Sequence, residues 1–255
     1  MKLGFISDLH LSENMPSVTE GFFNFLNNAA QELSHLYILG DLFEAWIGDD
    51  NNSELATNVM QNINHSTRNG LEVFFIHGNR DFLCGQNFAK KSNLKLLPDP
   101  FFMNFYDLKI ALSHGDDFCT NDLKYIKFKK EVRSSEWQEK FLEKSLNERL
   151  KIASNMRDVS QADNKNKDKS IMDVTPKAID QFFAEHRIDL LIHGHTHRPA
   201  IHDIVAQSKN CVLKNAQRVV LGDWNEKGWY AELQGNSLEL HSFALPNELS
   251  TTNIN

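Results

Sequence analysis

Side chains that bind metal ions follow five apolar runs of this 255-residue sequence. The set has seven members, namely Asp8, His10, Asp41, Asn79, His114, His195 and His197. Carboxylate and amide oxygens and neutral imidazoles bind divalent ions such as Mn, Fe or Zn, and none of the three cysteines lies among them. Because so many ligands exceed what one ion needs, the pattern predicts a two-metal centre.

Such a centre would act on phosphate esters. Two divalent ions bring four positive charges and ionised Asp8 and Asp41 return only two negative ones, so an anionic substrate is favoured. Metal binding lowers the pKa of a coordinated water from about 15.7 towards about 7, and paired ions also stabilise charge that develops on phosphorus. The predicted reaction is hydrolysis that needs no side-chain base.

The apolar runs predict buried β-strands. They are short and continuous, as in strands covered on both faces, and lie at residues 3–6, 36–39, 73–76, 110–112 and 190–192. Helical spacing lies between them, and Thr175 with Pro176 indicates a helix N-terminus. This order predicts an α/β fold with parallel pairing, in which ligands gather at the carboxyl ends of the strands. After Pro199 the pattern predicts antiparallel strands at 218–221, 229–233 and 238–243.

Each motif alone has an ordinary explanation. Asp8 beside His10 could be a turn carboxylate bonded to the backbone, and Gly78 could serve only to allow positive φ. His195 and His197 form a stronger pair, because alternate residues of an extended segment point the same way. The complete set, in this order, favours a metal centre.

Residues 122–170 interrupt the α/β pattern, since they show helical spacing without strand signals. Residues 122–169 carry 13 Lys and Arg against 9 Asp and Glu, although the whole chain has a net charge of −7. We predict a helical cap at 122–170 over a core formed by 1–121 and 171–245, followed by a loose tail at 246–255. Apolar residues of the insertion would form either the cap's own core or a groove for acyl chains, namely Phe128, Trp137, Phe141, Leu142 and Ile152.

The composition narrows the class of protein. The acidic net charge argues against a nucleic-acid partner, and 41% hydrophobic residues are typical of a globular protein. No apolar run approaches the roughly 18 residues of a spanning helix, and no signal-peptide pattern follows Met1. Cys84, Cys119 and Cys211 suggest no disulfide framework. We expect a cytoplasmic protein with inert cysteines and no obligate protein partner.

The five motifs resemble those of the calcineurin-like metallophosphoesterase superfamily. Its pattern runs Asp-x-His, Gly-Asp, Gly-Asn-(His or Arg)-(Asp or Glu), His and Gly-His-x-His, and every part is present here. The resemblance implies a two-sheet α/β sandwich flanked by helices, and two ions, with Mn²⁺ expected. It assigns Asp8, His10, Asp41 and His197 to one ion and Asp41, Asn79, His114 and His195 to the other.

Within the superfamily, the chain is similar to a bacterial family of UDP-2,3-diacylglucosamine pyrophosphatases of lipid A biosynthesis. The similarity runs from residue 1 to about 243 and includes residues 40–49, 78–82 and 171–174. It implies a UDP-linked diacylated glucosamine substrate, UMP and 2,3-diacylglucosamine 1-phosphate (lipid X) as products, and peripheral attachment to the cytoplasmic face of the inner membrane. The implied substrate contacts are Asn79, Arg80, Asp122, Ser160, Asn164, Lys167 and His195.

Arg80 stands where many phosphomonoesterases of the superfamily have His. A guanidinium stays charged and can clamp two phosphate oxygens, but it cannot protonate a poor leaving group. This suits a pyrophosphate, whose leaving group is itself a phosphate ester anion. We therefore assign catalysis to Arg80, Asp41 and His114, with Asp81 either orienting Arg80 or forming only a local ion pair with it.

Two other functions would fit the same scaffold. One is a broader nucleotide phosphodiesterase or a phosphoprotein phosphatase. Arg80 and the basic insertion argue against this function. Another is a non-catalytic interaction module, against which the complete ligand set counts.

Overall fold

The structure is a computed structural model that describes residues 1–166, 171–204, 207–208, 211–212 and 216–246. Lys167, the side chains of Asn164 and Cys211, and the predicted tail after residue 246 lie outside the described part.

The described residues form thirteen strands. In chain order they are β1 (Lys2–Ile6), β2 (His35–Leu39), β3 (Glu72–Ile76), β4 (Lys95–Leu97), β5 (Phe101–Phe105), β6 (Leu108–Ser113), β7 (Leu190–His193), β8 (Ala200–Ile204), β9 (Gln207–Ser208), β10 (Cys211–Val212), β11 (Ala216–Val220), β12 (Lys227–Gln234) and β13 (Ser237–Ala244).

Most strands belong to two mixed sheets. The first has the order β13-β12-β1-β2-β3-β4, with β1 to β4 parallel and β12 antiparallel to both neighbours. The second has the order β5-β6-β7-β11-β8, with β6, β7 and β11 parallel and an antiparallel strand at each edge. Strands β9 and β10 pair only with each other.

Helices flank the sheets. In the described residues they are α1 (Pro16–Asn27), α2 (Glu54–Arg68), α3 (Gln86–Ser92), α4 (Leu123–Val132), α5 (Ser135–Leu142), α6 (Leu146–Asn166) and α7 (Pro176–His186). Helix α7 begins at the predicted Pro176, although Thr175 uses its hydroxyl to accept a hydrogen bond from Thr120 rather than to cap the helix. Among the described helices, none is long and apolar enough to cross a membrane.

Apolar side chains join these elements into four layers. Phe5 and Leu39 of the first sheet pack with Ile110 and Ile192 of the second in a fully buried cluster. Helices α1, α2 and α3 cover the other face of the first sheet, and α7 covers that of the second through Phe183. Burial of this much apolar surface is the main force that holds the layers together. The two-sheet α/β sandwich flanked by helices is confirmed.

The strand predictions differ from the structure at the edges. All five apolar runs form strands, and the predicted β12–β13 hairpin turns at Gly235 with φ of +59°. The prediction for residues 218–221 was wrong in part, because β11 runs parallel to β7 and antiparallel only to β8. An apolar run indicates burial but not the direction of the neighbouring strand.

Arg149 attaches α6 to the core. Its side chain is 3% exposed, and it donates hydrogen bonds to the carbonyl of Ile47 at 2.6 Å and to Asp50 Oδ1 at 2.8 Å. Its Nε donates to the carbonyl of Lys144 at 3.0 Å. The guanidinium therefore joins two segments that are far apart in the sequence.

Arg149→Ala should lower the free energy of unfolding by about 2–4 kcal/mol, because buried carbonyl groups lose their donor. Urea unfolding followed by circular dichroism measures the change. Lys151→Ala, at an exposed position of the same helix, is the matched control and should change stability by less than about 0.5 kcal/mol. Equal stability of the two variants would show that the Arg149 contacts contribute nothing.

Candidate metal centre

All seven predicted ligands lie in loops that follow β1, β2, β3, β6 and β7. Main-chain hydrogen bonds hold these loops together. The N–H of Asp8 donates to the carbonyl of Gly40 at 3.1 Å, and the N–H of His195 donates to Asp8 Oδ2 at 2.9 Å. The latter bond joins a loop of the first sheet to a loop of the second. The centre therefore spans both sheets.

Five of the predicted ligands have left-handed backbone conformations. Their φ angles are between +51° and +67°, and they are Asp8, His10, Asp41, His195 and His197. Non-glycine residues rarely adopt this region, and each such residue costs about 1–3 kcal/mol unless its surroundings enforce it. Concentration of this strain at the predicted ligands is typical of a functional site.

Glycine allows the loops to approach one another closely. A Cβ atom at Gly78 would lie 2.1 Å from Asp41 Oδ1, which is an impossible contact. The Gly78 to Asp81 loop therefore packs directly against the Asp41 carboxylate.

One group of ligands forms around Asp8. His197 Nε2 lies 3.3 Å from Asp8 Oδ1 and 3.4 Å from His10 Nε2. His10 Nε2 also lies 3.9 Å from Asp41 Oδ2. Four side chains thus direct ligand atoms towards one small volume, and they are the four predicted for the first ion.

A second group forms around Asn79. Asn79 Oδ1 lies 3.0 Å from both His114 Nε2 and His195 Nδ1, and His114 Nε2 lies 3.8 Å from Asp41 Oδ1. One carboxylate oxygen of Asp41 thus faces each group. This is the arrangement expected of a ligand shared between two ions.

The donor set fits divalent metal ions. Asp8 is fully buried, and its Oδ1 has no aligned hydrogen-bond donor in the described residues, although His197 is close. An ionised oxygen is rarely left buried without a partner. Asp8, His10 and His197 form one set of converging ligand atoms, and Asp8, Asp41 and His114 form another. A pair of ions would compensate the carboxylates and accept the imidazole lone pairs.

Neighbouring groups orient the imidazoles. His114 Nδ1 donates to the carbonyl of Leu39 at 2.9 Å, which directs Nε2 towards the centre, and the N–H of His114 donates to Asp99 Oδ2 at 3.1 Å. His10 Nδ1 lies 3.3 Å from Glu44 Oε2. Hydrogen bonds of this kind fix the tautomer and orientation of metal-binding histidines.

The Asp81 carboxylate forms hydrogen bonds with two loops and not with the Arg80 side chain. It is fully buried and accepts hydrogen bonds from the N–H groups of Gly78 at 2.8 Å and Leu42 at 2.7 Å. Burial, with the nearby Asp41 carboxylate, raises the pKa of Asp81 to about 7. The interpretation of Asp81 as an orienting or ion-pair partner of Arg80 was wrong, because its oxygens face main-chain donors.

One side of α4 faces the centre, which sequence reasoning missed. Tyr125 donates a short hydrogen bond to Asp116, and its ring lies 5.9 Å from the ring of His195. Lys129 pairs with Asp116 at 2.9 Å, and Arg133 donates to the carbonyl of Gly78 at 2.7 Å. Their spacing of four residues places them on one helix face, a polar signal that was present in the sequence.

The predicted substrate contacts lie in different parts of the site. Asn79 and His195 belong to the second ligand group. Arg80 follows Asn79 and has a buried Nε without a hydrogen-bond partner in the described residues. Asp122 caps α4 by accepting from the N–H of Tyr125 at 3.1 Å, and Ser160 lies on α6. Substrate contact by these residues stays a prediction.

Other residues have structural contacts. His77 donates to the carbonyl of Cys84 at 2.6 Å, and His193 to that of Gly194 at 2.9 Å, as expected of histidines outside the ligand set. Burial raises the pKa of both Cys84 and Cys119, to about 12 for Cys119, so these buried thiols are inert.

Two histidines of the second group differ in charge. Burial, with the neighbouring charge of His114, lowers the pKa of His195 to about 4. Burial alone would also lower the pKa of His114, but the Asp41 and Asp116 carboxylates raise it to about 9. Near neutral pH, His195 is therefore already neutral, whereas His114 must lose a proton before it can bind metal.

Metal binding should therefore release at least one proton near neutral pH, and affinity should rise with pH up to about 9, the pKa of His114. Calorimetric titration in buffers of different ionisation enthalpy counts the released protons. A heat that does not depend on the buffer would show that His114 is neutral before metal arrives.

Sequence comparison over most of the chain identifies the family, in agreement with the site. Residues 1–199 match the calcineurin-like phosphoesterase family, and the chain belongs to this family. Among its relatives, the UDP-2,3-diacylglucosamine hydrolase of Serratia proteamaculans (strain 568) is 44% identical over 239 residues, covering 94% of this chain and 98% of the relative. The protein of the same name from Cellvibrio japonicus (strain Ueda107) is 41% identical over 239 residues, with the same coverage.

Proposed function

We propose that the protein hydrolyses the pyrophosphate bond of UDP-2,3-diacylglucosamine to UMP and 2,3-diacylglucosamine 1-phosphate, a step of lipid A biosynthesis. The two ligand groups that share Asp41 are the structural observation that carries this proposal. The relatives named above supply the substrate, because they match this chain over nearly its whole length.

Asp8, His10, Asp41 and His197 would hold one ion, and Asp41, Asn79, His114 and His195 the other. Two divalent ions, Mn²⁺ in this proposal, would supply an activated water and positive charge for the phosphate oxygens. Arg80 adds a permanent positive charge beside Asn79 and needs no proton transfer. Because the leaving group is a phosphate ester anion, it can depart without a general acid.

Helices α4–α6 would serve as the cap that receives the lipid part of the substrate. Trp137, Phe141 and Ile152 pack against the apolar cluster between the first sheet and helices α1–α3, whereas Phe128 and Leu142 are exposed. The insertion therefore has both buried and accessible apolar side chains. Leu123 and Ile126 are also exposed, and they lie with Phe128 on the basic helix α4. We propose that this surface attaches the protein peripherally to the anionic inner membrane, and co-sedimentation with anionic but not neutral vesicles would test it.

Purified protein incubated with Mn²⁺ and UDP-2,3-diacylglucosamine should release UMP. In water labelled with ¹⁸O, the new oxygen should enter the UMP phosphate, because attack occurs at the phosphorus that carries the uridine. Cleavage of simple phosphodiesters without release of UMP would refute the substrate and favour the broader phosphodiesterase.

Arg80→Lys should lower kcat/KM by roughly tenfold or more, because an ammonium keeps the charge but loses the planar pair of donors. Metal content should stay unchanged, since the Arg80 side chain makes no contact with the ligands among the hydrogen bonds described. Steady-state kinetics with metal analysis measures both. Arg68→Lys, at an exposed position at the end of α2, is the control, and equal kinetics of the two variants would exclude the clamp.

A further inference from the structure

A small pocket lies beside the last ligand loop, outside helices α4–α6. Its volume is about 250 Å³, and its lining includes Asp173, Thr196, Arg198, Pro199, Arg218 and Val220. Asp173 belongs to the 171–174 motif, which the metal centre does not use. Complete ligand sites usually measure roughly 300–1,000 Å³, so this pocket suits one part of a larger molecule.

The pocket adjoins the metal centre through the chain itself. Thr196 lies between His195 and His197, and neighbouring Cα atoms are only about 3.8 Å apart. Thr196 Oγ1 is buried and has no hydrogen-bond partner within the described ranges. A buried hydroxyl without a partner is unfavourable, so this atom is suited to meet a polar group of a ligand.

Two guanidinium groups give the pocket hydrogen-bond donors. Arg198 pairs with Asp173, whereas no carboxylate forms an ion pair with half-buried Arg218 in the described part of the chain. Arg218 donates to His193 Nε2 at 3.1 Å. Pro199 and Val220 contribute apolar surface. Donors beside an apolar wall match a planar base with carbonyl acceptors.

We propose that this pocket binds the nucleoside of the UMP part of the substrate, with Arg218 and Thr196 contacting the pyrimidine base or ribose. The inference rests on the proposed function, which places the phosphates at the metal centre and the lipid under α4–α6. None of the residues that line this pocket belongs to those helices. It therefore lies on the side that the nucleoside would occupy.

Calorimetry of UMP binding to the metal-loaded protein tests this directly, without any need for hydrolysis. Arg218→Gln should weaken UMP binding by roughly tenfold or more, because a charged donor is lost. Thr196→Val, which keeps the side-chain shape, should weaken it several-fold and guards against a folding defect from the lost Arg218–His193 contact. Thermal melting checks the fold of each variant.

Inorganic phosphate and 2,3-diacylglucosamine 1-phosphate serve as comparison ligands, and exposed Arg68→Gln is the matched control variant. Weakened binding of UMP alone supports the proposal. Unchanged UMP binding in both pocket variants overturns it, and so does equal weakening of phosphate or of the lipid product, which would indicate a simple anion site. The UMP-release assay with wild-type protein judges the proposed function separately.

Discussion

Asp41→Asn should lower turnover by roughly 10³-fold or more, since loss of even one preorganised electrostatic group typically costs about 10²–10³-fold. The two oxygens of Asp41 face different ligand groups, 3.9 Å from His10 Nε2 and 3.8 Å from His114 Nε2. An amide offers one weak neutral acceptor in place of two anionic oxygens, so one group loses a ligand and the other keeps only an uncharged one. Steady-state kinetics and metal analysis of the purified variant measure the effect.

Asp107→Asn is the matched control, because Asp107 is exposed in the turn between β5 and β6, at the opposite end of β6 from His114. It should retain normal turnover and metal content. If Asp41→Asn kept both as well, the shared role of Asp41 would be wrong even though the ligands lie together.

Removal of divalent metal by chelation should abolish hydrolysis and lower the melting temperature, and Mn²⁺ should restore both. A ligand that binds only the folded state stabilises it by about 2.7 kcal/mol at a hundredfold excess over its dissociation constant. Burial alone would raise the pKa of Asp8, but the contact with His197 and nearby histidines hold it well below its usual value. Without metal, the buried charge of Asp8 is therefore balanced by these histidines.

The two readouts separate catalysis from mere metal binding. A melting temperature that rises with Mn²⁺ while no hydrolysis returns would favour the non-catalytic interaction module. Full activity after complete removal of metal would refute the metal centre itself. Scanning calorimetry and UMP release on the same samples make the comparison direct.

Central strands were predictable because both of their faces are covered. Residues 36–39 and 190–192 are continuously apolar, and they form β2 and β7 within the sandwich. The strands β4, β5 and β8 were missed; they lie at sheet edges, and among their side chains only Phe105 is buried. Strands β4 and β8 have too few apolar residues to be distinguished from loops by sequence alone, whereas the apolar run of β5 is interrupted by Asn104.

The ligand set was predictable because Asp, Asn and His are residue types that bind metal. The contacts that α4 makes with this set were not predictable from the sequence. Tyr125 is a common residue type, and only the docking of α4 against the centre brings it to Asp116 and beside His195. Of the two places predicted for Phe128, its exposure argues against the cap's own core and leaves the acyl groove a prediction, while the polar face of α4 turns inward. On a helix that covers a charged site, polar side chains face the protein and apolar ones can face solvent, which is the reverse of the usual amphipathic pattern.

The metal centre lies on the seam of the sandwich. Asn79 follows β3 of the first sheet, whereas His114 and His195 follow β6 and β7 of the second, and all meet within 3.0 Å of one amide oxygen. A sliding displacement of one sheet against the other by a single ångström would disperse these atoms. The chemistry therefore requires stiff packing between the two sheets. Apolar residues deep in the interior keep the ligand atoms at their positions, although these residues never contact the substrate.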